Sequence, residues 1–196
     1  MLQTKGQETR SHILLESRRL FTLQGFQNTS ISTIIAATGV KKGNLYYHFP
    51  SKEELGLAVL LDARDEFFTI LEHSFVGDRM VPRILHSCNA IKGLIQQGDF
   101  VAGCLFGNTA LEMTDANSRF GQIIREVFSH WIELIEQELQ LEADLTAVDP
   151  PLSTESLAIA IVALLEGGIM LARVYQDGKN LEVCITAIHG LLIPLS

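Results

Sequence analysis

The sequence predicts an all-α protein: an N-terminal three-helix domain built on a helix-turn-helix, then a larger helical domain, about nine helices in total. Two observations predict this. Apolar residues recur at helical spacing in segment after segment, while nothing reads as a strand, a repeat or a low-complexity tract. The segment SISTIIAATGVKKGNLYYHFPSKEEL, Ser30 to Leu55, also carries the punctuation of two short helices, a tight turn and the start of a third helix.

A first helix is expected from about Gly6 to Leu23, with Ile13, Leu14, Ser17, Leu20 and Phe21 on one face. Gly25 ends it, and Phe26 returns to the small domain's core. Ser30 caps the next helix, whose apolar face is Ile31, Ile34 and Ile35; Ala36 and Ala37 leave room for a helix to cross closely. Gly39 falls where the turn needs a backbone conformation costly for other residues, and Val40 plugs the turn into the core. The following helix starts at Lys41-Lys42-Gly43-Asn44, and Pro50 stops it. Ser51 with Glu54 has the spacing of a capping box and opens a long helix to about Phe75. Leu55, Val59, Leu60, Phe67, Ile70 and Leu71 are its apolar residues.

Gly77-Asp78 breaks that helix, and another is expected from about Val81 to Gln97. Residues 98–107 form a loop and helix entrance leading into a short helix through Met113. A long amphipathic helix follows, about Arg119 to Leu141, with Phe120, Ile124, Val127, Phe128, Trp131, Leu134 and Ile135 on its buried stripe. Residues 142–151 read as a loop in which Pro150-Pro151 is a connection. Ser153 opens a very apolar helix to about Tyr175, and Asn180 opens the last, to Leu192. The domain division is 1–50 and 51–196.

The second half of the Ser30–Leu55 segment also carries chemistry. Lys41, Lys42, Asn44, Tyr46, Tyr47 and His48 form a polar-aromatic cluster able to reach phosphates or base edges, and such a cluster has no packing motive. Gly39, Val40, Gly43, Leu45, Tyr46, Tyr47, His48, Phe49, Ser51, Lys52, Glu53 and Leu55, with Ile13, Leu14, Leu20, Phe21, Gly25, Phe26 and Thr29 upstream, resemble the DNA-binding domain of the TetR family of bacterial repressors. Ile35 departs from the pattern, standing where the family usually has alanine. The resemblance implies that Lys42, Gly43, Asn44 and Tyr46 lie nearest base edges, with Asn44 suited to an adenine edge and Lys42 to a guanine edge or a phosphate. It implies phosphate contacts for Tyr47, His48, Lys52 and the capping Ser30.

The resemblance further implies a homodimer on a palindrome, formed by the last two helices. Leu164, Gly168, Leu171, Ile188 and Leu192 are the interface candidates, and the Gly167-Gly168 pair permits close approach. It implies a small-molecule effector, hydrophobic in character, held in the helical body. Phe67, Cys88, Cys104, Phe106, Asn108, Glu112, His130 and Trp131 are candidates to line that site, with plain core packing the competing account for Phe67, Phe106 and Trp131. The run from Gly103 to Asn108, followed by Glu112, resembles a motif in some TetR-type regulators that sense oxidants or electrophiles through such a cysteine, which makes a thiol sensor at Cys104 the alternative.

Composition bounds the rest. The 196 residues are 47% hydrophobic and 19% charged, which suits a packed protein. The net charge of −8 divides unevenly: residues 1–56 hold seven basic and four acidic side chains, net +3, and the remainder holds eight basic and 19 acidic, net −11. A positive head on an acidic body can orient toward DNA while limiting non-specific adhesion. Three cysteines, Cys88, Cys104 and Cys184, lack metal-ligand spacing. Glu126, His130 and Glu133 have a spacing able to hold a metal, but a solvated stripe is the commoner use, and no metal or cofactor is expected. No phosphate loop, nucleophile elbow or zinc motif appears, so a helical-bundle enzyme with an appended helix-turn-helix remains only the second alternative. The apolar runs read as too short for a membrane span and no signal peptide is evident, so a cytoplasmic protein with no membrane partner is expected.

Overall fold

The computed structural model describes residues 4–146 and 152–193, and among these it is all-helical. The helices are α1 (Lys5–Gln24), α2 (Ile31–Thr38), α3 (Lys42–His48), α4 (Lys52–Ser74), α5 (Met80–Gln97), α6 (Leu105–Met113), α7 (Ser118–Thr146), α8 (Thr154–Tyr175) and α9 (Lys179–Leu192). They form two compact units, residues 1–66 with 105–124 and residues 67–104 with 125–196. The first therefore holds more chain than residues 1–50: it adds the start of α4, all of α6 and the start of α7.

In the first unit, Thr4 caps α1 in a full capping box with Gln7, a start signal the sequence reading passed over. Ile13, Leu14, Ser17, Leu20 and Phe21 are buried along one stripe. The Ser30 hydroxyl accepts from the Thr33 N–H at 3.1 Å and caps α2. Gly39 ends α2 in the left-handed region, φ 67°, donating its N–H to the Ile35 carbonyl at 2.9 Å. Ala36 and Ala37, however, are exposed and receive no crossing helix; Ile34 and Leu45, both fully buried, anchor α2 and α3 instead. Ser51 caps α4 through the Glu54 N–H at 3.1 Å, but the Glu54 carboxylate pairs with Arg119 of α7, so only half of the expected capping box forms. The rings of Phe21, Phe26 and Phe120 pack in a tilted series, with centroids 5.1 and 4.9 Å apart. Gly56 permits this, since a Cβ there would lie 2.5 Å from the Phe26 ring and 2.8 Å from Phe120.

In the second unit, α5, α8 and α9 pack together with the later turns of α4 and α7. Trp131, Ile135, Ile84, Cys88, Ile161, Leu165 and Ile188 lie in one buried cluster. Arg83 of α5 makes a bidentate pair with Glu138 of α7 at 2.6 and 2.7 Å. α7 continues to Thr146, past the expected end at Leu141, because residues 142–146 contain no glycine or proline to stop it. The Pro150-Pro151 connection lies outside the described residues. By length and composition α8 is a helix apolar enough to cross a membrane, contrary to the reading of its runs as too short. In this structure its inner stripe, Leu157, Ala158, Ile161, Val162, Leu165, Gly168, Ile169 and Ala172, is buried in the protein core.

Candidate nucleic-acid interface

The short α3 presents its polar side outward on two buried anchors. Leu45 is fully buried and Phe49, just past the helix, is 3% exposed. Burying each such side chain contributes about 1.5–3 kcal/mol, which holds a helix too short to be stable alone. Around them Lys41, Lys42, Gly43, Asn44, Tyr46 and Tyr47 are exposed, and His48 is half-buried. Tyr47, at 83% exposure, offers a large ring to solvent. His48 meets it edge-on with centroids 5.2 Å apart. A Cβ on Gly43 would meet nothing within 4 Å, so packing inside the chain does not require glycine there. Arg10 of α1, which the sequence reading did not single out, lies over the Phe49 ring at 5.1 Å and adds a cation beside the end of α3. Ser30, besides capping α2, makes hydroxyl contacts with Ser32 and Thr33 at 2.7 and 2.8 Å.

Lys52 is a residue for which the resemblance implies a phosphate contact. Its ammonium donates to the Gln27 carbonyl at 3.2 Å and sits over the Phe26 ring at 4.4 Å. Burial in this corner holds it below the ordinary ammonium range, with Glu53 and Glu112 opposing. The group is engaged within the unit.

The eight effector candidates divide. Phe67, Cys88, Cys104 and Trp131 meet at one buried cluster of the second unit, with the Phe67 and Trp131 rings at 5.2 Å. The Trp131 Nε1 is buried without a hydrogen-bond partner. His130 is instead a surface group, 3.5 Å from Glu133 and 3.9 Å from Glu72. Phe106, Asn108 and Glu112 belong to the first unit. There Phe106 is buried, Asn108 donates to the Thr22 carbonyl at 3.3 Å, and Glu112 accepts from the Gln27 N–H at 2.8 Å. Sequence reasoning missed Glu166 of α8, whose Oε1 is buried with no hydrogen-bond partner. Burial holds its carboxyl above the ordinary range, opposed by a hydrogen bond with Cys104. Its signal was available: Glu166 is the single charged residue between Glu155 and Arg173.

The dimer candidates also divide. Gly168, Ile188 and Leu192 are buried inside the chain. A Cβ on Gly168 would lie 2.9 Å from Leu181 and 3.2 Å from Cys184, so this glycine serves the α8–α9 crossing within the chain. Leu164 and Leu171 are half-buried. The large apolar residues left facing outward are Ile159, Met170, Val174 and Tyr175 on α8, and Val183 and Leu191 on α9.

Two family models match this chain. Residues 13–59 match the bacterial regulatory proteins of the tetR family, and residues 80–188 match the tetracyclin repressor-like C-terminal domain. The chain belongs to the TetR family. It is similar to the HTH-type transcriptional repressor DhaR of Mycobacterium sp. strain GP1, at 26% identity covering 94% of this chain and 92% of that protein. It is 30% identical to the transcriptional regulator AcuR of Cereibacter sphaeroides, covering 78% of this chain and 70% of the relative. Among solved structures, a TetR transcriptional regulator from Chloroflexus aurantiacus J-10-FL superposes with a TM-score of 0.88 at 32% identity, covering 96% of each chain. This TetR chain is thus a DNA-binding transcriptional regulator, with the helix-turn-helix of α2 and α3 inside the first matched segment.

Proposed function

We propose that this regulator is a repressor that binds a palindromic operator as a homodimer and lets go when a small, largely apolar effector enters its second unit. One observation carries the reading: an exposed row of Lys41, Lys42, Asn44, Tyr46 and Tyr47 on a helix anchored by the buried Leu45. These groups and His48 suit base edges and phosphates, and Ser30 at the start of α2 suits a phosphate. Gly43 strengthens the reading, because an exposed helical glycine with open space around it makes sense where another backbone approaches. One head reads only a few base pairs; two α3 helices about 34–36 Å apart read successive major grooves. The outward apolar residues of α8 and α9 are the surface we assign to the partner copy. The buried cluster holding Phe67, Cys88, Cys104 and Trp131, with its partnerless indole N–H, is the site we assign to the effector. Acting on the chromosome places the protein in the bacterial cytoplasm.

Selection of duplexes from a randomised pool, followed by footprinting and sedimentation, tests this. The expected result is a symmetric site protected by a dimer. A protein that enriches no duplex at moderate salt after removal of bound small molecules ends the DNA reading; an asymmetric site bound by a monomer ends the dimer reading.

A second reading rests on the half-buried position of Cys104, which leaves its sulfur partly open to reagents: a thiol sensor that releases DNA on modification of Cys104. Cys104→Ser separates the two, since a thiol sensor loses its response to an added electrophile while a reversible effector still acts.

A further inference from the structure

Gly25 to Thr29, the connection from α1 to α2, is held from two other helices rather than by its own turns alone. The two backbone polar groups of Gln27 go to different places: the N–H donates to the Glu112 carboxylate of α6 at 2.8 Å, and the carbonyl accepts from the Lys52 ammonium of α4 at 3.2 Å. The Gln27 side-chain amide donates back to the Glu112 carbonyl at 3.0 Å, so Gln27 and Glu112 hold each other at two points. One turn earlier on α6, the Asn108 side chain donates to the Thr22 carbonyl in the last turn of α1, where the helix runs out of N–H donors. Gly25 fits the same arrangement: its φ is 85°, and a Cβ there would lie 2.1 Å from the Glu112 Oε1. Three residues after Gln27 comes Ser30, the cap of α2, so the place where Glu112 holds the chain sets where the helix-turn-helix begins.

We propose that Glu112 is a positioning residue for operator recognition: its carboxylate fixes the entry to α2, and through α2 and the Gly39 turn it fixes the angle at which α3 meets DNA. Glu112 touches no DNA itself. The inference rests on the DNA-binding role of α3 and adds a residue from well outside the helix-turn-helix. Mispositioning α3 weakens base-edge contacts, which need exact register, more than phosphate contacts, which tolerate small shifts.

The test uses the full-length protein, the duplex that it selects from a randomised pool, and an unselected duplex of equal length at the same salt. Glu112→Ala is expected to lose about tenfold in affinity for the selected duplex, the scale of one charge-assisted hydrogen bond. Its affinity for the unselected duplex should stay within about twofold. Glu112→Gln keeps an acceptor for the Gln27 N–H and should recover most of the loss, and Gly25→Ala should reproduce it. If Glu112→Ala yields no soluble protein, Gln27→Ala, an exposed change that removes one arm of the contact, decides with an expected loss of about threefold on the selected duplex alone. Equal losses on both duplexes would mean a smaller folded fraction and would overturn the proposal, as would unchanged selected binding in a folded Glu112→Ala. A wild-type protein that selects no duplex would remove the DNA role and this inference together.

Discussion

Two glycines of the helix-turn-helix have different physical causes, and substitution separates them. Gly39 has φ 67° and open space where a Cβ would go, so an alanine there meets no clash and only the left-handed backbone opposes it. Gly39→Ala should cost about 1–2 kcal/mol of unfolding free energy, and Gly39→Asn clearly less, because asparagine tolerates that region. Gly43 is helical and exposed, so Gly43→Ala should stabilise the protein by up to about 1 kcal/mol in urea unfolding while weakening operator binding. A variant that is more stable and binds equally well would show that the glycine makes no room for DNA. Cys88 gives a pH signature: burial pushes its thiol from 9.0 up to about 12. The unfolded thiol ionises first, so above pH 9 the unfolded state binds fewer protons and stability falls toward pH 12. The slope is at most about 1.4 kcal/mol per pH unit. Cys88→Ala should remove that component of an alkaline unfolding series. The same burial should leave Cys88 unalkylated in native protein, with the half-buried Cys104 and Cys184 expected to label first.

At the scale of the element, α8 and α9 each have two apolar faces with different work to do. Ile188 is fully buried within the chain, whereas Val183 is 66% and Met170 59% exposed. Ile188→Ala should therefore destabilise the protomer by about 2–5 kcal/mol. Met170→Glu with Val183→Asp should leave the unfolding of the isolated protomer nearly unchanged and shift sedimentation from dimer toward monomer. If the double variant stays dimeric at low micromolar concentration, the partner copy docks elsewhere. The same pair of helices shows why the sequence does not divide their apolar residues between the chain's own core and any partner. Periodicity says that Leu164, Gly168, Ile188 and Leu192 are apolar or small, but not whether a helix of the same chain or of another covers them; in an apolar helix both faces read alike. The local signals were legible because their cause is local. Ser30 lies three residues from the N–H it caps, Gly39 four from the carbonyl it donates to, and the α1 stripe follows from spacing alone. The contact of Glu112 with Gln27 was not legible, because the two lie 85 residues apart and no pattern in α6 points to it. Glu54 was half-read for the same reason: its carboxylate prefers Arg119, 65 residues on, to its own helix cap.

For the whole molecule, the uneven charge makes salt dependence the most informative measurement. A body of net −11 repels the duplex and a head of net +3 attracts it, so affinity for DNA of any sequence rests on the few cations that α3 and its surroundings present. Each phosphate contact adds about 0.9 to the slope of log affinity against log salt on duplex DNA. In a dimer a substitution removes two contacts, so Lys41→Ala should flatten the slope by about 1.8 if that exposed lysine meets a phosphate. Lys52→Ala should behave differently. Its ammonium is held by the Gln27 carbonyl and the Phe26 ring, so the variant should lose selected-site affinity, through a loosened α1–α2 connection, with the slope unchanged. If Lys52→Ala instead flattens the slope as much as Lys41→Ala does, the lysine leaves Gln27 for a phosphate when DNA binds, and the connection is held by Glu112 without it. The two slopes, measured on one selected duplex over the same salt range, therefore tell which basic groups of the head touch DNA and which only hold α3 in place.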